Sequence, residues 1–120
     1  MSENGDTSIV AQIYVTRAGS NPTVQCTHKV KSGAGFVVWH IHNNTGADVT
    51  NVAVTNFRTT SAHTQDLIIR SGSFEDLKTG PIPNGQQRTL PGVFQGHSGD
   101  VYDYDIEVDD HIAADPQLEI

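Results

Sequence analysis

Alternation of apolar and polar side chains with a period of two constrains this chain more than any other feature. In residues 101–108, Tyr102, Tyr104, Ile106 and Val108 fall on one face and Asp103, Asp105 and Glu107 on the other. That period fits a half-buried strand and no helix. It recurs in residues 9–16, where Ile9, Ala11, Ile13 and Val15 share a face. It recurs again in residues 23–31, where Val24, Cys26, His28 and Val30 oppose Gln25, Thr27 and Lys29.

Residues 36–43 are the most hydrophobic segment: Val37, Trp39 and Ile41 share one face, and Phe36, Val38, His40 and His42 the other. A strand apolar on both sides belongs in the middle of a sheet. Further strands are expected at residues 49–58, with Val52 and Val54 opposed to Ala53, Thr55 and Phe57, and at residues 66–70, 86–90 and 117–120. Residues 71–85 are the least regular stretch, with a short helical turn expected where Ser73 caps Phe74 and Leu77. Clusters of Gly, Asn, Pro and Ser separate these segments at the spacing of a sandwich. The expectation is therefore an all-β, Greek-key β-sandwich of seven or eight strands. Its expected core is Ile13, Val24, Cys26, Val37, Trp39, Ile41, Val54, Tyr102, Tyr104 and Ile106.

A chain of 120 residues accommodates one such core. Residues 1–7 are polar and are expected to form a flexible tail, and residues 8–120 the domain. Seven basic against fourteen acidic side chains give a formal charge of -7. That charge repels phosphate backbones and anionic lipid, so neither nucleic acid nor membrane is an expected partner. No window has the apolar length of a signal peptide or a membrane span, which places the expected location in the cytoplasm. The lone Cys26 forms no internal disulfide. Asn43-Asn44-Thr45 matches a glycosylation acceptor that carries little meaning without secretion.

Trp39 on a central strand, Asn43-Asn44 after it, and Gly99-Asp100-Val101-Tyr102-Asp103-Tyr104 before the last long strand resemble cupredoxin and immunoglobulin-like sandwiches over residues 30–108. The whole chain resembles small bacterial cupredoxin-like proteins that carry a Tyr-x-Tyr-x-Ile/Val strand and finish on Asp-Pro plus a short apolar strand. That resemblance implies a fold and supplies no activity. Blue-copper members place a His after the strand ending in Asn, then a Cys, a second His and usually a Met on and after the late strand. Here Thr50-Asn51-Val52 takes the first position and Ile106 that of the Cys. His111 is suitably spaced, but the only Met is Met1. Against the immunoglobulin pattern, Tyr104 replaces the second Cys, so the inter-sheet disulfide cannot form, while Tyr102 could serve as a corner tyrosine.

Two constellations carry chemistry in their own right. His40 and His42 leave one face of one strand, and such a pair supplies two zinc or copper ligands when a neighbouring strand offers a third. His28 is the candidate third ligand, on a strand expected to pair through the Gly33-Ala34-Gly35 turn. Asp100, Asp103, Asp105, Glu107, Asp109 and Asp110 form an acidic row that calcium, basic neighbours or salt could screen.

Nucleophilic chemistry finds no support: Cys26 lies in an apolar strand, and no Gly-x-Ser-x-Gly elbow occurs. His97-Ser98-Gly99-Asp100 reads as a turn, because a triad converges from separate elements. An enzyme would need residues 71–85 to face His63 or His97. The leading expectation is a non-enzymatic binding or assembly module without a cofactor. Its partner would be another protein or a second copy, met through loops or through exposed edges at residues 9–16 or 118–120. The alternative is a zinc- or copper-binding protein using His40, His42 and His28.

Overall fold

The computed structural model describes residues 9–32, 35–59, 67–96 and 99–120. Residues 1–8, Gly33, Ala34, His63, Asp66, His97 and Ser98, which figured in the expectations above, lie outside the described residues.

Ten strands are formed among the described residues: β1 (Ile9–Ala18), β2 (Asn21–Cys26), β3 (Lys29–Lys31), β4 (Phe36–Asn43), β5 (Val52–Thr59), β6 (Ile68–Ile69), β7 (Gln87–Gln95), β8 (Val101–Val108), β9 (His111–Ala114) and β10 (Gln117–Glu119). One sheet runs β2-β1-β4-β7-β6 and the other β3-β10-β8-β5, with β9 also pairing β8. Neighbours are antiparallel except β1 with β4 and β3 with β10. This is an all-β sandwich, and its alternating inner positions meet in one core.

That core contains Trp39, Ile41, Tyr102, Tyr104, Ile106 and Leu118, each 1% exposed or less. Burying an aliphatic side chain of this size stabilises by roughly 1.5–3 kcal/mol. Of the expected core, only Val24 and Cys26 are partly buried rather than enclosed. Burial still pushes the Cys26 thiol pKa up, which keeps it protonated and unreactive.

The strand count exceeds seven or eight because one expected strand divides and one strand, β9, forms where none was expected. Residues 23–31 do not form one strand: β2 pairs β1 in the first sheet, and β3 pairs β10 in the second. The chain crosses between layers at Thr27 and His28, where alternation continues and so gives no sign of the change. The C-terminal stretch bonds one side of β8 as β9 and then as β10, broken at Asp115-Pro116, where proline supplies no donor.

Two further departures bear on the surface. β7 runs on through Pro91 instead of stopping at Leu90. Asn43 N–H donates to the Gln86 carbonyl and Phe94 N–H to that of Gly35, so even-numbered residues of β7 bond β4. Pro91 therefore turns its missing donor away from β4 and costs that ladder nothing.

In β5, pairing with β8 shifts register between Thr55 and Arg58, and Asn56 has φ 58. This left-handed geometry suits Asn better than most residues. The extra residue turns Phe57 from the expected outer face into the core, 5.2 Å from the Tyr104 ring and 5.7 Å from that of Phe94.

Candidate functional site

The outward face of the β2-β1-β4-β7-β6 sheet is built from the alternate positions that the core does not use. Register aligns Val10, Val38 and Pro91 in one row across three strands. Phe36 and Val93 lie opposite each other on the same side, and Ile68 faces Gln95 at the far edge. Five large hydrophobic side chains are exposed among the described residues, and four of them, Val10, Tyr14, Ile68 and Val93, stand on this face. None of the residues that these five strands direct to this face is an Asp, Glu, Lys or Arg. On a chain of formal charge -7, these five strands thus present a face with exposed apolar side chains and no fixed charge, the kind of surface that marks an interaction site.

At the polar end of the same face His40 and His42 stand together, their ring centroids 4.4 Å apart and the planes tilted by 43°. Register brings Gln12 and Thr89 beside His40, and Tyr14 and Gln87 beside His42. The hydrogen bonds run diagonally. His40 Nε2 lies 2.6 Å from Gln87 Oε1 and His42 Nε2 2.8 Å from Gln12 Oε1. A carboxamide oxygen only accepts, so each imidazole donates through Nε2 and keeps its lone pair on Nδ1. The Tyr14 ring stacks on His42 at 4.5 Å. Burial, and then the nearby charge of His40, lower the His42 pKa below the ordinary histidine range.

His28 is elsewhere. It sits at the crossover between layers, and its carbonyl accepts from Gln117 N–H of the opposite sheet. The strand bearing His40 and His42 is flanked by β1 and β7, so the pairing expected through Gly33-Ala34-Gly35 does not form. Among the described residues no group of three or more His, Cys, Asp or Glu is gathered as a metal ion would require. His40 and His42 are brought together, and His28 is not brought to them.

Three members of the acidic row, Asp103, Asp105 and Asp109, have partners of their own. Asp105, expected outward, is only 5% exposed, because Asn56 and Arg58 of the bulge close over it. Asn56 Nδ2 donates to it at 2.9 Å and Arg58 at 3.2 Å, and the same guanidinium reaches Asp115 at 3.0 Å. Asp103 accepts from Gln117, and Asp109 from the backbone N–H groups of Thr50 and Asn51.

Ser73 does cap a short 3-10 turn, Phe74–Asp76, as expected. Phe74 lines a cavity of about 280 Å³ with Phe57, Leu67, Tyr102 and Arg58. Arg58, its cation, is already engaged by two carboxylates. The acceptor motif at Asn43 is a structural hub: its amide donates to the carbonyls of Ala47 and Ile82, and its oxygen accepts from Thr45. Asn43 is fully buried, which closes that side chain to modification in the folded chain.

The edges expected to be free lie inside the sheets, β1 being paired by β2 along Ile13–Ala18. β1 lies between β2 and β4, and β10 between β3 and β8. Sequence reasoning missed Gln12, Tyr14 and Gln87, because only register across strands distant in sequence sets them beside the histidines. One signal could have found the face: the outward positions of residues 9–16, 36–43 and 87–95 all lack fixed charge.

No protein-family model matches this sequence, and comparison with curated proteins gives no match either. No helix among the described residues is long and apolar enough to cross a membrane.

Proposed function

We propose that this chain is a non-enzymatic binding and assembly module that docks protein surface on the outward face of its β2-β1-β4-β7-β6 sheet. The concentration of exposed apolar side chains on a face without fixed charge carries this reading. Apolar area released from water drives association, and a neutral face spares an acidic molecule the cost of bringing like charges together. The reading replaces the expected edges at residues 9–16 and 118–120 with a sheet face. It keeps the proposals of a cytoplasmic location and of a Greek-key, cupredoxin-like or immunoglobulin-like kinship.

A second reading, zinc or copper binding, is favoured by the closeness of His40 and His42. The missing third ligand among the described residues weighs against a complete site within one chain.

Sedimentation velocity over a concentration series tests the leading reading, with wild type beside a Val10→Asp/Val93→Asp double variant. Association that the variant abolishes supports it. Association indifferent to both substitutions overturns the assignment of the face.

A further inference from the structure

We propose that two copies of this chain meet through this face across a two-fold axis, and that His40 and His42 of each copy together bind one zinc ion at the interface. The inference rests on the docking reading above, and it names the occupant of the face and the ion that selects it.

The incompleteness of the histidine pair points to a second copy. A structural zinc site takes four ligands. One chain offers two imidazoles, aimed from an open sheet face, and no third His, Cys, Asp or Glu beside them among the described residues. A two-fold axis through the pair doubles the set to four imidazoles without any further residue. Closed two-fold dimers are the commonest oligomers, and they place the same patch of both copies in contact.

The position of the pair permits that axis. His40 and His42 lie on β4, the middle strand of the sheet order β2-β1-β4-β7-β6. Rotation about β4 therefore lays each copy's apolar row of Val10, Val38 and Pro91 within the same contact. Strands about 4.8 Å apart and ~3.3 Å per residue give β2, β1, β4 and β7 a footprint of roughly 500 Å² before side-chain relief. That is on the scale of the about 800 Å² per partner in a standard interface.

The chemistry of the pair suits zinc. Both Nε2 atoms are engaged by carboxamide oxygens, so the Nδ1 lone pairs are the donors offered to the ion. Gln12 and Gln87 then act as the outer partners that hold ligating imidazoles in one tautomer. Two imidazoles on a tetrahedral zinc, with Zn–N about 2.1 Å, have centroids about 5 Å apart. From 4.4 Å the rings need open only slightly. The ion also adds positive charge between two molecules of formal charge -7.

Light scattering coupled to size-exclusion chromatography tests the proposal, with EDTA or with zinc chloride. Native mass spectrometry counts the metal, and the proteins are wild type, His40→Ala/His42→Ala and His40→Gln/His42→Gln. The expected result is a mass that doubles with zinc, one zinc per two chains, and an apparent dimer dissociation constant at least tenfold weaker in both variants. A dimer in EDTA that both histidine variants keep overturns the zinc bridge and leaves the docking face standing, to be judged by Val10→Asp/Val93→Asp. One zinc per chain on a monomer, or no zinc uptake at all, overturns the proposal outright. Copper in place of zinc, with the same stoichiometry and histidine dependence, overturns the choice of ion.

Discussion

Trp39 Nε1 donates a hydrogen bond to Tyr104 Oη at 3.1 Å across the core, joining the central strand of one sheet to that of the other. Both rings are enclosed, and their edge-to-face contact has centroids 5.8 Å apart. A hydrogen-bonded aromatic pair thus ties the two sheets together. Tyr104→Phe keeps the ring and orphans the indole N–H, which costs about 1–3 kcal/mol. Chemical denaturation followed by Trp39 fluorescence measures that loss.

Burial pushes the Tyr104 pKa well above the ordinary tyrosine range. A group whose folded value is raised contributes stability that is complete below its unfolded value and is lost as pH climbs past it. Stability should therefore hold until the pH approaches about 10 and then fall. Tyrosinate absorbance from Tyr104 should appear only together with unfolding.

His42 shows the opposite sign. Burial and the neighbouring His40 lower its pKa, so stability from the neutral ring is present above the ordinary value and is lost as pH falls through the lowered one. Imidazole carbon-bound proton shifts followed against pH should place the His42 midpoint below that of a free histidine. His40→Gln should move that midpoint upward, because it removes the neighbouring charge.

The bulge at Asn56 holds Asp105 in its buried ion pair. Arg58→Ala removes the guanidinium from a carboxylate 7% exposed and is expected to cost about 1–3 kcal/mol, less than a fully enclosed pair because Arg58 is itself 39% exposed. Thermal unfolding at neutral pH checks this. An unchanged melting temperature would mean that Asn56 alone satisfies Asp105.

The alternation of Tyr102, Tyr104, Ile106 and Val108 made the sandwich and most of its core legible in the sequence, because inner positions of a half-buried strand must be apolar wherever the strand lies. The pairing of strands was not legible. Parallel contact of β1 with β4, and the crossing between sheets at Thr27 and His28, follow from long-range packing that local pattern does not encode. Phe57 faces the opposite way to its pattern because a single inserted residue at Asn56 resets the period of β5, while Asp105 keeps its outward position on β8 and is covered by Asn56 and Arg58 of that bulge. Of the candidate site, His40 and His42 were legible as an i, i+2 pair on one strand. His28 was misplaced by the assumption that a Gly-rich turn joins neighbouring strands. The docking face went unread because its signal is the absence of charge spread over several segments.

Amide chemical-shift mapping over a dilution series tests the docking face most directly. The account predicts concentration-dependent shifts at Val10, Gln12, Tyr14, Val38, Thr89 and Val93, on β1, β4 and β7, while β5 and β9 stay unchanged. Shifts gathered at β5 or β9, or none on the β1, β4 and β7 face at the highest concentration and with zinc present, would contradict it.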